Sequence, residues 1–258
     1  MEFININRIQ QEKEDWKKAW NSKKPFRYFH CDNFLHETKA NEVLNSYPDP
    51  WQGEWDNTTY TNQKNKYQKR KFDEGTVLDR IFKELNSVEF LSLLAEITGI
   101  PNLMPDPELF GGGLHQSIKG AFLDVHIDYN IHPKTKQHRR LNVLVYLNKD
   151  WKDEYEGHLE LWEINDTKKE RIERIAPLFN RMAMFETNEI SYHGHPHPLN
   201  TPKGLNRKSL AVYYYTDERP AEEVASEHNT IYVNTTGTKG KVKNLRSGFK
   251  ALIERIKK

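Results

Sequence analysis

The sequence predicts an α+β protein whose core is a double-stranded β-helix, a cupin-like jelly roll, with supporting helices on its N-terminal side. Three observations lead to this fold class. Apolar residues recur at helical spacing before residue 100, five short segments with a period of two follow, and no helical segment separates these five. Consecutive short strands without intervening helices form antiparallel sheets, and a jelly roll is the closed form that also encloses a cavity.

The region before residue 110 is predicted to be helical or mixed in structure. Residues 25–35 predict a strand that leads into a helix over 36–47, which two following prolines end. Residues 76–99 predict two consecutive helices, because apolar side chains recur there every three or four positions. The segment 51–72 has no clear period, so we expect a loop with short strands.

The five later segments alternate apolar and polar residues, as strands with one buried face do. They are 120–128, 141–148, 157–164, 181–187 and 207–216. We therefore predict a single domain over the 258 residues, a length that one core of this kind can fill. Its parts are a supporting region (1–110), the jelly-roll core (111–216) and a basic C-terminal extension (217–258) that ends in a helix.

Composition narrows the class of protein and its partners. Hydrophobic residues make up 36% of the chain and charged residues 29%, and no apolar run approaches the length of a membrane span. The formal net charge of +2 indicates neither strong nucleic-acid binding nor its absence, but basic clusters such as 64–71 and 134–140 are usually solvated surface, so we expect no nucleic-acid partner. The one cysteine, Cys31, excludes an internal disulfide and predicts a cytoplasmic location. Any metal site must then be built from histidines and carboxylates.

An imidazole and a carboxylate stand two positions apart in the predicted strand 122–130, FLDVHIDYN. Because strand side chains alternate between faces, His126 and Asp128 are predicted to share one face with Phe122 and Asp124. The opposite face is apolar and holds Leu123, Val125 and Ile127. The first face therefore reads as the wall of a polar cavity.

A third metal ligand is predicted in the turn-rich stretch 191–200, which contains three histidines. We favour His193, since it follows a strand-like segment directly, with His195 as the alternative. Two histidines and one carboxylate on one face of an octahedron are typical of non-haem Fe(II) oxygenases. Together with His126 and Asp128, His193 could also hold a catalytic zinc ion.

An arginine opens the last predicted strand. Arg207 and Ser209 lie on the same face of 207–216, and an inward-facing guanidinium is costly unless it meets an anion. A carboxylate bound by an arginine and a hydroxyl suits the distal end of 2-oxoglutarate, and a zinc hydrolase would not require it. Lys203 is the alternative anchor.

The ordered set of His126, Asp128, His193, Arg207 and Ser209 resembles the Fe(II)/2-oxoglutarate-dependent oxygenase superfamily, and more narrowly its prolyl-4-hydroxylase-like branch. The resemblance covers roughly residues 105–216. Three local patterns of that branch also occur in order. They are Gly120-x-x-Leu123-x-x-His126-x-Asp128, Arg140 followed by YLN at 146–148, and EGHLEL at 156–161, where His158 replaces the second glycine of the branch pattern.

The resemblance implies an enzyme that hydroxylates an unactivated C–H bond and releases succinate and CO₂. It implies Fe(2+), 2-oxoglutarate as co-substrate and O₂, with ascorbate as a stimulating reductant. His126, Asp128 and His193 would be the catalytic metal ligands, and Arg207 with Ser209 would bind the co-substrate. The substrate would be a peptidyl, prolyl-type residue or a small amino-acid-like molecule.

Two hypotheses from other classes remain open. One is a zinc-dependent hydrolase on a cupin-like barrel, and the other is a non-catalytic binding module derived from an oxygenase. Metal content and dependence on the co-substrate separate the three. Whatever the reaction, we expect the loop 129–140 and the segment 51–72 to form the substrate walls, because specificity commonly lies in loops on a rigid scaffold.

Overall fold

The computed structural model of the chain describes residues 1–51, 54–57 and 61–235. In these ranges an antiparallel sheet of eleven strands curls into a jelly roll, with helices packed on one side. The helices are α1 (Ile6–Ser22), α2 (Glu37–Asn45), α3 (Val77–Leu85) and α4 (Val88–Thr98). The strands are β1 (Tyr28–Cys31), β2 (Asp56–Asn57), β3 (Gln63–Lys69), β4 (Gly113–Ile127), β5 (His138–Tyr146), β6 (Leu159–Ile164), β7 (Lys169–Ile175), β8 (Arg181–Glu186), β9 (Tyr192–His195), β10 (Arg207–Thr216) and β11 (Ile231–Tyr232). The predicted fold class is confirmed.

The strand order is β1-β8-β5-β10-β4-β9-β6-β7. We call β1, β8, β5 and β10 the larger wall, and β9, β6 and β7 the smaller wall. β4 is 15 residues long and belongs to both, because residues 113–117 pair with β10 and residues 123–126 pair with β9. β3 and β11 pair with the same strand, and β2 pairs with β3. β4 therefore connects the two walls around one cavity.

Alternation of side chains in the larger wall separates a hydrophobic core from this cavity. Val143 and Val145 of β5 and Val212 of β10 pack in a buried cluster with the helices. Asn142 and Leu144 point the other way and line the cavity. The apolar positions of β5 and β10 thus hold the helices in place, and the residues between them are available for chemistry.

Outside the segment 51–72, the elements α1, β7, β9 and β11 were not predicted. Two of them, α1 and β7, were missed for different physical reasons. α1 carries a polar N-terminal sequence, yet Ile6, Ile9, Trp16 and Trp20 are buried on one face at helical spacing. β7 reads KERIERI and is largely exposed. Charged side chains on an edge strand are a common protection against pairing with other chains, and they hide the strand pattern.

The predicted C-terminal extension is described only as far as residue 235. Residues 231–232 form β11, and the helix expected at 247–258 lies outside the described residues. No helix in the described part of the chain is long and apolar enough to cross a membrane.

Candidate metal centre

A β-bulge positions the first two predicted ligands. Leu123 of β4 pairs with His195 of β9, and His126 pairs with His193, so three steps along β4 match two along β9. The extra residue changes the phase of the strand. The predicted face is therefore wrong in its first half, where Leu123 lines the cavity and Asp124 does not.

The three predicted ligands come together at one end of the cavity. The candidate ligand atoms of His126, Asp128 and His193 all lie within 4.8 Å of one another. The Nε2 atom of His126 lies 3.6 Å from Oδ1 of Asp128, and Nε2 of His193 lies 3.4 Å from Oδ2. Both imidazoles are buried, and the carboxylate is nearly so. Two nitrogens and one oxygen therefore face a common point.

Backbone hydrogen bonds select the tautomer that a metal ligand needs. The Nδ1–H of His126 donates to the carbonyl oxygen of Asp124 at 2.8 Å, and the Nδ1–H of His193 donates to that of Ser191 at 2.9 Å. A carbonyl oxygen only accepts, so Nδ1 carries the proton and Nε2 keeps its lone pair. Burial also lowers the pKa of His193 to about 3, which keeps it neutral. This donor set fits Fe(II), and zinc as well.

Two neighbours hold the Asp128 carboxylate. Arg139 lies 3.0 Å from its Oδ2 atom, and Asn142 Nδ2 donates to the same oxygen at 2.8 Å. Burial by itself would raise the pKa of Asp128, but Arg139 and the two histidines hold it well below its ordinary value. The Arg139 guanidinium stacks on the rings of Tyr213 and Tyr129, with its carbon 3.6 and 4.6 Å from their centroids. The carboxylate is therefore ionised and fixed.

Arg207 and Ser209 lie on the inner face of β10, as predicted, and both line the cavity. Arg207 Nε donates to the carbonyl oxygen of Gly157 at 2.6 Å, and Nη2 donates to the Tyr146 hydroxyl at 3.3 Å. The guanidinium carbon also lies 4.9 Å from the centroid of the Tyr146 ring. The remaining guanidinium N–H groups can serve an anion in the cavity.

Gly157 is needed where it stands because its φ is +76° and a Cβ there would lie 2.4 Å from Cδ2 of Leu199 and 3.0 Å from Cδ of Arg207. We expect Gly157→Ala to lower the free energy of unfolding by about 1–3 kcal/mol through backbone strain and overpacking. Urea unfolding measures the change. Gly204→Ala is the matched control, since Gly204 has a φ of +86° but nothing within 4 Å of its Cβ position. Equal losses in both variants would contradict the packing argument.

The alternative anchor and the alternative metal ligand lie outside the positions that Arg207 and the triad occupy. Lys203 is exposed in the turn before β10 and is not among the residues that line the cavity. His195 lines the cavity beyond the triad, and its buried Nδ1 atom has no hydrogen-bond partner among the described residues. His158 is buried outside the cavity, with Nε2 3.0 Å from Oδ1 of Asp153. His197 is half exposed, 3.6 Å from Glu160.

The cavity has a volume of about 270 Å³ and contains both the triad and Arg207. Cross-strand pairing arranges its inner face in rows. The first row is Lys66, Ser117 and Arg207, from β3, β4 and β10. The second row is Gln68, His115, Ser209 and Tyr146, from β3, β4, β10 and β5. Polar side chains from four strands thus point into one space.

Several lining residues were missed from the sequence. Arg139 was missed because the neighbouring Arg140 matches the pattern of the prolyl-4-hydroxylase-like branch. Lys66 was missed because it lies in a segment without a clear period. Tyr232 of β11 also lines the cavity, with its ring centroid 5.3 Å from that of His126. β11 reaches this position by pairing with the end of β4 at His126 and Ile127.

Three buried histidines in the cavity predict acid sensitivity of the metal-free protein. Burial lowers the pKa of His193 to about 3 and holds those of His115 and His195 well below their ordinary value. In the unfolded chain a histidine takes up a proton near pH 6.5, whereas in the folded chain these three do not. The stability is therefore complete above about pH 6.5 and falls as the pH drops towards 3, by up to about 1.4 kcal/mol per pH unit for each histidine.

Urea unfolding of the metal-free protein at several pH values tests this prediction. His195→Gln should reduce the slope of the free energy of unfolding against pH by the equivalent of up to one proton. The same change at the half-exposed His197 should leave this slope unaltered. A His195→Gln variant with the full wild-type dependence would show that this histidine does not contribute.

Comparisons with known proteins agree with this geometry. Residues 112–215 match the family model described as the 2OG-Fe(II) oxygenase superfamily. No curated protein matches the chain. The solved structures that are similar to it include three prolyl hydroxylases.

A prolyl hydroxylase from Trichoplax adhaerens, in complex with a hypoxia inducible factor peptide fragment, is 20% identical with a TM-score of 0.57, over 81% of this chain and 92% of that one. A Pseudomonas putida prolyl-4-hydroxylase is 17% identical with a TM-score of 0.53, over 78% and 98%. A prolyl 4-hydroxylase structure from Phytophthora capsici is 17% identical with a TM-score of 0.54, over 92% and 75%.

At these identities the structural likeness shows a shared fold, and the family match adds the chemistry of the matched region. The predicted resemblance to the superfamily is confirmed over residues 112–215, and this match supports a 2-oxoglutarate-dependent dioxygenase that uses Fe(2+), 2-oxoglutarate and O₂.

Proposed function

We propose that this 2-oxoglutarate-dependent dioxygenase hydroxylates an unactivated C–H bond of a peptidyl, prolyl-type substrate and releases succinate and CO₂. A small amino-acid-like substrate is the alternative within the same chemistry. One observation carries the proposal: a triad of two histidines and a carboxylate shares a cavity of about 270 Å³ with an inward-facing arginine. The hypoxia inducible factor peptide fragment in the Trichoplax adhaerens structure favours the peptidyl form.

His126 and His193 would hold the metal through their Nε2 atoms, and Asp128 would hold it through a carboxylate oxygen. Once bound, the metal with 2-oxoglutarate and dioxygen supplies the oxidising power and the decarboxylation. The chain contributes pre-organised ligands, since the Nδ1–H bonds to backbone carbonyls orient both imidazoles. Arg139 and Asn142 orient the carboxylate in the same way.

Arg207 binds the distal carboxylate of the co-substrate, and Ser209 assists. The Gly157 carbonyl fixes the plane of the guanidinium, which leaves further N–H groups for the ligand. Ser209 lies opposite Tyr146, whose hydroxyl is held by Arg207. Burial raises the pKa of Tyr146, so its hydroxyl stays protonated and can donate a hydrogen bond.

Apolar side chains limit the access of water to the reacting end of the cavity. Leu144, Leu159, Phe185 and Tyr232 line it. Phe185 lies with its ring centroid 4.4 Å from that of His193, and Tyr232 covers His126 from the other side. A dry cavity protects a reactive oxidant from side reactions and strengthens the ion pair of Arg207 with the co-substrate.

Two finer properties belong to the same proposal. Ascorbate stimulates turnover, as the resemblance to the prolyl-4-hydroxylase-like branch implies. The enzyme works in the cytoplasm, since a chain with a single cysteine, Cys31, suits a reducing compartment.

An anaerobic titration tests the proposal. Metal-free protein is titrated with Fe(II) and then with 2-oxoglutarate, and the visible charge-transfer band of the chelate is followed. We expect a saturable band in the wild-type protein and in the control His197→Ala, whose side chain is half exposed. Loose iron binding without a band would reject the oxygenase, and tight zinc binding in its place would favour the hydrolase. Weak binding of both metals would favour the binding module.

A further inference from the structure

Lys66 is a cation of the cavity that the reaction described above does not use. It lies on β3 opposite Ser117, which in turn lies opposite Arg207. Neighbouring strands are about 4.8 Å apart, so the backbone of Lys66 is about 10 Å from that of Arg207 on the same face of the sheet. Lys66 therefore faces the cavity from the side of the β2–β3 hairpin.

The cations that line the cavity differ in their partners. Arg139 is paired with Asp128 at 3.0 Å. Arg207 meets neutral groups of the chain and is assigned above to the distal carboxylate of the co-substrate. Lys66 has no carboxylate partner within 4.0 Å among the described residues. Burial lowers the pKa of Lys66 to about 8, and the positive charges of Arg207 and Arg139 act in the same direction, while the Asp128 carboxylate acts against them.

A basic groove of about 630 Å³ adjoins the cavity and shares Asp56 and Gln68 with it. Its charged lining residues are four basic ones, Lys69, Arg70, Lys71 and Lys134, and three acidic ones, Glu54, Asp56 and Glu108. Lys134 is paired with Glu108, and Arg70 lies 3.9 Å from Asp56. Lys69 and Lys71 have no carboxylate partner within 4.0 Å in the described part of the chain. The two unpaired lysines outnumber Glu54, the acidic lining residue without an ion pair in the described part of the chain, so the excess charge along this rim is positive.

We propose that the substrate is an acidic polypeptide segment, with one carboxylate bound by Lys66 beside the reacting residue and others bound by Lys69 and Lys71 in the groove. This inference rests on the proposed function and names its substrate class. An extended chain fits better than a small metabolite, because the groove lies beyond the space that a small molecule and the co-substrate would fill. Matching charges would both attract such a segment and set its register.

Binding of two matched peptides tests the inference. Fluorescein-labelled peptides with a central proline, flanked by glutamates in one and glutamines in the other, are titrated anaerobically against the full chain with Fe(II) and 2-oxoglutarate. Fluorescence anisotropy reports binding. We expect the glutamate peptide to bind about tenfold more tightly at low salt, and this preference to shrink as salt rises. Equal affinity for the two peptides would overturn the proposal.

Variants then locate the contact. Lys66→Met should remove most of the preference for glutamate, whereas Lys64→Met, on the same strand but exposed, should keep it. The double variant Lys69→Gln/Lys71→Gln lies in the groove and should lower the preference even if Lys66→Met does not fold. A Lys66→Met protein that folds and keeps the full preference would refute the role of Lys66.

The chelate band separates this inference from the proposed function. If Lys66→Met weakens 2-oxoglutarate binding and leaves the peptide preference unchanged, Lys66 belongs to the co-substrate site and the inference is wrong. If the wild-type band forms but neither peptide preference nor salt dependence is found, the acidic substrate is rejected while the oxygenase stands. If the preference is found without a band, the peptide site stands and the proposed reaction fails.

Discussion

Asp128→Gly is expected to abolish substrate-dependent succinate release and to weaken Fe(II) binding by more than about a hundredfold. Changes to groups that only orient a metal ligand already cost 10- to 100-fold, and this change removes the ligand itself. Equilibrium titration with Fe(II) and a succinate assay measure the two effects. Full turnover by this variant would remove Asp128 from the metal site.

Asp128→Gly is also expected to lower the stability of the fold. A second variant separates this loss of stability from the loss of metal binding. Arg139 is 1% exposed, so without Asp128 its charge is buried and unpaired, which costs about 3–5 kcal/mol of stability. In Asp128→Gly/Arg139→Met that charge is gone. We expect urea unfolding to show recovered stability in the double variant, with metal binding still absent. Recovered metal binding would mean that the single variant had failed only because it unfolded.

Arg207→Ala is expected to weaken 2-oxoglutarate binding by about a hundredfold or more, while the affinity for Fe(II) stays close to that of the wild type. Removing one partner of a buried charge pair costs about 2–5 kcal/mol, and the triad does not contact Arg207. The chelate band, followed against 2-oxoglutarate concentration, gives the affinity. Arg207→Lys should restore part of it, since a lysine keeps the charge and loses the planar fork.

The matched control decides between the two anchors considered from the sequence. Lys203→Ala removes an exposed cation from the turn before β10, outside the cavity. Its affinity for 2-oxoglutarate should equal that of the wild type. If Lys203→Ala loses the co-substrate and Arg207→Ala keeps it, the assignment of the anchor is reversed.

Much of the fold follows from periodicity. β10 has the predicted bounds, because a run of apolar and aromatic residues follows Arg207 and Ser209 and residues on both faces of the strand are buried. α3 and α4 lie where helical spacing predicts them, separated by Ser87, which caps the second. The triad and Arg207 were predicted because their residue types and order are specific to the chemistry.

What the sequence missed has a common cause, since the missed features depend on partners distant in the chain. The bulge between Leu123 and His126 exists only in the pairing of β4 with β9, and no local pattern marks it. Arg139 and Arg140 are adjacent and chemically alike, and only tertiary packing places the first on Asp128. Lys66 and Tyr232 reach the cavity from segments whose own sequences indicate no burial.

The hydrogen bonding of β4 has a consequence for how the enzyme would tell one oxo acid from another. His126 lies at the far end of this strand and Asp128 follows it directly, while the near end is paired with the strand that carries Arg207. The span between the triad and the guanidinium is thus set by backbone spacing and not by loops. The sheet therefore fixes the length of the oxo acid that can reach both ends. A dicarboxylic acid one methylene longer or shorter would lose its contact with either the metal or Arg207. Selection by length would then be built into the main chain.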